Sequence, residues 1–376
     1  MMGMGFILSM VGTDLVASNT LCQQHHCLGV VDAGSTGSRL HFYVYDLDSN
    51  NNPIQVEEKW SKKVKPGFSL LDLEQATVDS YLTELLPDQT EQGVPVYFYA
   101  TAGMRLLSAS KQQSYYHAVE TWFAKQSTWH LMEAKTINGR DEGVFGWLAV
   151  NYRLGTLTGA ESASVGVMDT GGASVQVVFP IKDDDSSHDK NVVHLTLYEK
   201  HIALFSHSWL GLGQTLVSQQ FLNHSICFPN GYPLPDGLLA TGDAQACQEE
   251  IAHLINDVHH VSAAVKPRLS TNPPKDWYVM GGLAHSIQSP LFHMANNQMS
   301  SASLIEQADS AACQAPWTSL LSAYPKHDML YLECLNAAYY YALLVQGYGL
   351  MPKEPIHLVP GDSGNDWTLG VVLHQS

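Results

Sequence analysis

The sequence has few basic residues, no long apolar segment and no cysteine pair at metal-binding spacing. Its 376 residues include 19 Lys and Arg against 36 Asp and Glu, which gives a formal net charge of −17. A nucleic acid or an anionic membrane requires a basic surface, so neither is expected as a partner. No stretch approaches the roughly 20 apolar residues that cross a bilayer. We therefore expect a soluble protein without a membrane span, in which local donors and a metal hold any anionic substrate.

The six cysteines form no Cys-x-x-Cys motif. Six cysteines allow 15 disulfide connectivities, and the sequence alone does not select one of them. We predict that each cysteine pairs with its neighbour along the chain, because each bridge then closes a short loop. The predicted pairs are Cys22–Cys27, Cys227–Cys247 and Cys313–Cys334. A zinc site at residues 22–27 is the alternative, but disulfides account for all six residues together and favour an oxidising compartment. The protein is thus expected to be secreted or periplasmic.

The length of the chain predicts two domains, since single cores rarely grow this large. We assign residues 21–138 together with 357–376 to the first domain and residues 139–356 to the second. Residues 1–20 contain apolar patches but no basic residue ahead of them, unlike an ordinary secretory signal. We interpret them as a leader or a segment added for expression.

The most informative stretch is residues 30–40. An apolar strand ends at Asp32, a turn of small and hydroxyl residues follows, and a second strand begins at Arg39. Successive N–H groups and hydroxyls in such a turn bind a small anion such as phosphate. Asp32 repels phosphate unless a divalent cation lies between them. The predicted phosphate-binding residues are Gly34, Ser35, Thr36, Gly37 and Ser38; the alternative is an ordinary glycine hairpin.

The same pattern recurs at residues 165–179, where an apolar run again ends in an acid, Asp169, and a glycine turn. This domain-sized spacing predicts the duplication of one α/β unit with a mixed sheet. Two further strands run into glycine turns near Gly103 and Gly281. Ligands bind at strand ends in α/β sheets, so the four turns would converge on one cleft if the two halves face each other.

Five segments resemble, in order, the five apyrase-conserved regions. They are Asp32-Ala-Gly-Ser-Thr-Gly-Ser-Arg39, Ala100-Thr-Ala-Gly-Met-Arg105, Gly139-Arg-Asp-Glu-Gly143 with Trp147 and Asn151, Asp169-Thr-Gly-Gly-Ala-Ser-Val-Gln176, and Met280-Gly-Gly-Leu283. The chain therefore resembles the nucleoside triphosphate diphosphohydrolases, or apyrases, and in particular a soluble bacterial member. Residues 366–370 extend the resemblance to the C-terminus.

The resemblance implies an α/β fold of two RNase H-like domains of the actin-like superfamily, with the active site in the interdomain cleft. It also implies a monomer that hydrolyses nucleoside tri- and diphosphates to monophosphates with Ca²⁺ or Mg²⁺. By the family pattern, the metal is held through water by Asp32, Asp169, Thr101 and Trp367.

The resemblance also assigns the reacting groups. Glu142 matches the general base, and Ser174 and Gln176 match the residues that orient the attacking water. The second turn contributes Gly171, Gly172 and Ala173 to phosphate binding. The remaining matched catalytic residues are Arg39, Arg105 and Asn151.

Each of these residues also has a structural interpretation. Glu142 can be a helix-start charge favoured by the helix dipole, Gln176 a solvent-facing strand residue, and Trp147 a core residue. At the level of function, the alternatives are a nucleotide-driven switch of the actin or chaperone type and a kinase of the same fold. Glu142 with Ser174 and Gln176 favours hydrolysis, because together they form a set that activates water.

Overall fold

The structure, a computed structural model, describes residues 21–88, 91–158, 165–182, 189–360 and 366–374. The leader predicted at residues 1–20 lies outside this part. The chain forms two compact units, one ending at Thr136 and the other running from Ile137 to His374. The boundary lies within two residues of the predicted one.

The first unit is a five-stranded mixed sheet with helices in its connections. The strand order is β3-β2-β1-β4-β5, with β1 to β3 antiparallel and with β4 and β5 parallel to β1. The strands are β1 His26–Ala33, β2 Ser38–Leu47, β3 Pro53–Val64, β4 Val94–Ala100 and β5 Trp129–Thr136. The helices are α1 Leu21–Gln24, α2 Gln75–Leu85, α3 Ala102–Arg105 and α4 Ala109–Phe123, with a single 3₁₀ turn at Phe68–Leu70.

The helix α2 shows why the first core forms. Its buried side chains Val78, Tyr81, Leu82 and Leu85 recur at helical spacing and therefore share one face. They join a cluster with apolar residues from alternate positions of β1, β2 and β4. The opposite face of each of these strands remains for other contacts, and the strand ends carry the glycine turns.

The second unit is built on a seven-stranded mixed sheet of order β11-β12-β10-β6-β7-β9-β8. Its strands are β6 Gly166–Thr170, β7 Ser174–Pro180, β8 Val192–Leu197, β9 Lys200–Leu210, β10 Trp277–Met280, β11 Gln298–Ser300 and β12 Pro355–Leu358. Its helices are α5 Gly139–Arg153, α6 Gln214–Gln220, α7 Ala244–His253, α8 Val261–Leu269, α9 Gly281–Ile287, α10 Ser301–Ala308, α11 Trp317–Ala323, α12 Glu333–Tyr341 and α13 Thr368–His374. Wider π turns extend three of them at Leu254–Val258, Asp309–Cys313 and Ala342–Tyr348, and 3₁₀ turns occur at Ser225–Cys227 and Leu330–Leu332.

The two sheets share one topology. The order 3-2-1-4-5 of the first sheet reappears in the second as β9-β7-β6-β10-β12, with β8 and β11 added at the two edges. Pairing directions match as well: the first three strands are antiparallel and the last two are parallel to the first. The two-domain α/β fold with mixed sheets is therefore confirmed.

The C-terminal segment lies in the second unit, whereas the sequence analysis placed residues 357–376 in the first. The strand β12 pairs in parallel with β10, and Ile356 is fully buried there. The helix α13 then packs closely on α5, because a Cβ atom at Gly370 would lie only 2.0 Å from the carbonyl oxygen of Phe145. These contacts group the segment through His374 with the second sheet.

Three disulfides close the predicted loops, Cys22–Cys27, Cys227–Cys247 and Cys313–Cys334, so the predicted connectivity is confirmed. The zinc alternative at residues 22–27 is excluded, since both cysteine sulfurs are used in the first bridge. Within the described part of the chain, no helix combines the length and the apolar character needed to span a membrane.

Candidate active site

The first glycine turn joins β1 to β2. Asp32 and Arg39 lie opposite each other in this hairpin, and residues 34–37 form the turn. The backbone N–H of Thr101 donates to the carbonyl of Ala33 at 3.3 Å, which places the second motif beside the first. A Cβ atom at Gly103 would lie 2.9 Å from Cα of Ser35, so the two motifs are in direct contact.

The second glycine turn joins β6 to β7, and a following loop holds it by its carbonyl groups. The carbonyl of Ala173 accepts from Gly211 N–H at 2.8 Å, and those of Gly171 and Gly172 accept from the first two residues of α6 at 2.9 Å. By contrast, the N–H groups of Gly172 and Ala173 donate to no described residue. Successive N–H groups of a turn that have no acceptor within the protein can bind an anion, an arrangement called a nest.

The first turn has the same property. Within the described ranges, no residue accepts from the N–H groups of residues 34–37. Thr36 is exposed, whereas Ser38 is fully buried at the start of β2. The backbone of this turn can therefore bind an anion, and the Ser38 side chain faces the interior of the unit.

The fifth motif packs against the acid of the second turn. Gly281 has a positive φ of 64°, and a Cβ atom there would lie 2.7 Å from Oδ1 of Asp169. The hydroxyl of Thr170 accepts from Leu283 N–H at 2.6 Å and fixes the start of α9. Glycine at position 281 thus permits both the turn and the approach of the backbone to the carboxylate.

Glu142 lies in the first turn of α5 and is buried. Nε2 of Gln176 lies 3.0 Å from Oε2 of Glu142 and 2.9 Å from Oγ of Ser174. Ser208 on β9 lies at 3.2 Å from the same amide nitrogen and was not identified from the sequence as a site residue. Gly143 permits this contact, because a Cβ atom there would lie 3.3 Å from Cβ of Gln176.

The amide of Gln176 is not a solvent-facing group. It is 1% exposed, and within the described part of the chain its oxygen Oε1 has no hydrogen-bond partner. A buried amide oxygen without a partner is costly. A water molecule that donates to Oε1 of Gln176 would satisfy it.

Three acids of the second unit influence one another. Burial, together with the charges of Glu142 and Asp366, raises the pKa of Asp169 to about 7. Asp366, which the sequence analysis did not select as a site residue, also accepts from Thr368 N–H at 2.7 Å and so begins α13. Such a concentration of carboxylates is the environment in which a divalent cation binds.

The other predicted residues of the second unit have structural contacts. Trp367 is buried and stacks on Phe145. The indole of Trp147 is fully buried and donates to the Val165 carbonyl at 2.9 Å, as the core interpretation predicted. The Asn151 amide donates to the Trp147 carbonyl and accepts from Thr156.

Asn151 follows Glu142 by nine residues, or about 13 Å along the axis of an α-helix. The structure therefore does not bring it to the Glu142–Gln176 cluster. In the first unit, Arg105 ends α3, and its N–H donates to the carbonyl of Thr101 at 3.2 Å.

An open cavity of about 750 Å³ lies at the far end of α9. This helix begins beside Asp169, and His285 near its end lines the cavity. The cavity is also lined by Tyr324, His327 and Glu333. Nε2 of His327 lies 2.9 Å from Oε1 of Glu333, and burial raises the pKa of Glu333 to about 7.

The sequence of this chain is similar to those of known nucleoside phosphatases. The model of the GDA1/CD39 (nucleoside phosphatase) family matches residues 19–236 and 236–376. The chain is 27% identical to ectonucleoside triphosphate diphosphohydrolase 1 of Mus musculus, over 98% of this chain and 84% of the mouse protein. It is 31% identical to guanosine-diphosphatase of Schizosaccharomyces pombe, over 61% of this chain and 43% of that protein.

Two solved structures have a similar fold. A nucleoside triphosphate hydrolase from Neospora caninum superposes with a TM-score of 0.59 at 15% identity, covering 93% of this chain and 92% of that one. The Ppx/GppA family member of Aquifex aeolicus gives a TM-score of 0.53 at 13% identity, covering 93% and 97%. The chain therefore belongs to the GDA1/CD39 (nucleoside phosphatase) family, the NTPDase or apyrase hydrolases that act on nucleoside tri- and diphosphates.

Proposed function

We propose that the protein cleaves nucleoside tri- and diphosphates stepwise to monophosphates by direct attack of a water activated by Glu142. The observation that carries this proposal is the buried contact of Glu142 with Gln176, whose amide oxygen has no described partner. Ser174 fixes the amide from the other side. General-base catalysis of this kind accelerates a reaction by about 10²–10⁴-fold.

The proposed step balances as follows. Glu142 takes one proton from the water while the water oxygen forms a bond to the terminal phosphorus. The anhydride P–O bond opposite breaks, and its electron pair leaves with the oxygen of the shortened nucleotide. Gln176 and Ser174 keep the water in line with that bond, which phosphoryl transfer requires.

The residues fit a divalent cation, because buried Asp169 is surrounded by the charges of Glu142 and Asp366. We assign Ca²⁺ or Mg²⁺ to Asp32 and Asp169, which would hold it through water, with Thr101 and Trp367 in the same water shell. When bound, the cation neutralises charge on the substrate and on these acids.

The two turns are proposed to bind one phosphate chain. The N–H groups of residues 34–37 and of Gly172 and Ala173 supply donors. Arg39 and Arg105 add positive charge from the first unit. For Asn151 we propose a supporting role at the end of α5, since its amide is engaged with Trp147 and Thr156.

The cavity at the end of α9 is proposed to hold the nucleoside. The helix has seven residues, so it spans about 10 Å between the Asp169 carboxylate and the cavity. Tyr324 and the histidines at positions 285 and 327 offer rings on which a base can stack. We further propose a monomer in a secreted or periplasmic location, which the three disulfides support; the bacterial origin stays a prediction.

A chromatographic time course with purified protein tests this function. ATP should give ADP and then AMP with Ca²⁺ or Mg²⁺ present, and excess EDTA should abolish both steps. A reaction that ends after less than one phosphate per protein would instead identify a switch. Equal turnover in EDTA would contradict the assignment of the metal.

A further inference from the structure

A basic row crosses the strands beside the first glycine turn. Arg39 on β2 pairs directly with Lys63 on β3. Directly opposite residues of an antiparallel pair point to the same face, with Cβ atoms about 4.5–5.5 Å apart. Lys65 follows two residues later, just beyond the end of β3. We call Arg39, Lys63 and Lys65 the basic row.

The basic row has one acid beside it, Asp32, but no side chain of the row forms an ion pair with a described residue. None of the three side chains makes a hydrogen bond with a described residue either. Asp32 on β1 lies directly opposite Arg39 and therefore shares the face of the row. Like charges directly opposite each other destabilise a sheet, so the Arg39–Lys63 pair itself does not stabilise the fold.

The row lies against the turn itself. A Cβ atom at Gly37 would be 3.1 Å from Cε of Lys63 and 3.6 Å from Cγ of Lys65. Lys63 is exposed. Desolvation by the surrounding protein and the nearby charges of Arg39 and Lys65 lower the pKa of Lys63, while Asp32 acts in the opposite direction. The cations are thus crowded at the site where the turn presents its N–H groups.

We propose that Lys63 is a phosphate-binding residue, which with Arg39 and Lys65 contacts the phosphate chain held at the first turn. The inference rests on the proposed function for the identity of the anion. A bound phosphate relieves the repulsion within the row and adds charge-assisted hydrogen bonds to those of the turn. Lys63 has no counterpart in the five motifs, because it comes from the adjacent strand.

The test compares Lys63→Ala with Lys62→Ala. Lys62 pairs with Leu40, so its side chain points to the opposite face of the same strand. For Lys63→Ala we expect the KM for ATP and ADP to rise about tenfold, with kcat changed less than about threefold. This corresponds to about 1.4 kcal/mol. Lys62→Ala should keep both constants, and Lys63→Arg should restore most of the affinity.

Calorimetry with pyrophosphate separates this inference from the proposed function. Even if the wild type failed to hydrolyse ATP, pyrophosphate should bind to it about tenfold more tightly than to Lys63→Ala. The melting temperature of Lys63→Ala should equal or exceed that of the wild type, because a repulsive pair is removed. Binding of pyrophosphate within twofold of the wild type, or an equal loss in Lys62→Ala, would overturn the inference.

Discussion

The two glycine turns occupy equivalent positions in the two sheets but have opposite electrostatic surroundings. The first, at the end of β1, lies beside Arg39 and Lys63. The second, at the end of β6, follows Asp169, whose neighbours are Glu142 and Asp366. Both units have the same strand topology around the turn, but different side chains surround it. Each turn follows an acid, but cations surround the acid of the first turn and further acids surround that of the second.

Each arrangement has a cost that a purely structural element would avoid. The first places like charges on facing positions of two strands. The second buries an acid among other acids, which disfavours its charged form. Natural proteins retain such unfavourable electrostatic contacts mainly at functional sites. Variants that each remove one side chain test which of these charges and contacts the protein needs.

Asp169→Asn should have the largest effect. The variant retains the shape of the side chain but loses the charge assigned to the cation, so we expect turnover to fall by roughly 10³-fold. In EDTA its melting temperature should rise, because a buried charge is removed. Phosphate release and thermal melting measure both effects. If the turnover and the melting temperature of this variant both match those of the wild type, the charge of Asp169 neither holds a cation nor destabilises the fold.

Gln176→Ala should reduce turnover by about 10²-fold, since misplacing the attacking water by about 1 Å is enough for such a loss. Substrate affinity should change little. Ser208→Ala is the matched control, because Ser208 touches the same amide nitrogen at 3.2 Å from the neighbouring strand. We expect a much smaller loss for Ser208→Ala. Equal losses in the two variants would show that the amide only packs the strands together.

Gly143→Ala and Gly146→Ala test the contact between α5 and the second sheet. A Cβ atom at Gly143 would lie 2.9 Å from Cγ2 of Val178, whereas at Gly146 the nearest atom, Sδ of Met280, is 3.5 Å away. Gly143→Ala should cost about 1–3 kcal/mol through overpacking. Gly146→Ala should gain roughly 0.5–1 kcal/mol of helix stability. Urea unfolding of both variants measures this, and equal stabilities would contradict the close packing at Gly143.

Glu333→Gln probes a buried acid remote from both turns. Burial raises the pKa of Glu333 to about 7, from a usual value near 4.5, so the folded state favours its protonated form. The stability that this form contributes is present at low pH and is lost as the pH rises through about 7. The glutamine variant should therefore gain stability relative to the wild type between pH 5 and 8, by on the order of 2 kcal/mol. If the difference in unfolding free energy between the variant and the wild type stays constant from pH 5 to 8, the pKa of Glu333 is not raised.

The neighbouring strands β8 and β9 differ in burial, and this decides which of them can be predicted from the sequence. The edge strand β8 alternates between partly covered and exposed positions, a pattern that marks a strand in the sequence. The next strand, β9, lies deeper in the sheet, where it is the counterpart of β3. Residues 203–206 of β9 are all buried, so no alternation marks them. A strand covered on both faces loses the period-two signal.

The site was predictable where its residues are close in sequence. Asp32 and Asp169 stand at the ends of apolar runs, and the glycines after them mark both turns. Asp366 and Ser208 were not selected as site residues, because only the fold brings their charge or side chain to Asp169 and Gln176. For the same reason, the sequence does not indicate that Lys63 lies beside the first turn, since its position depends on the register of β2 with β3.

The most direct test of the central claim is Glu142→Gln. The substitution retains size and hydrogen-bonding shape, but an amide does not accept a proton from water at neutral pH. We predict a fall in phosphate release of at least ~10²-fold, with nucleotide affinity and melting temperature near those of the wild type. If Glu142 is only a helix-start charge, stability should drop by less than about 1 kcal/mol and turnover should stay nearly constant. Hydrolysis within a few-fold of the wild type would contradict the assignment of Glu142 as the base.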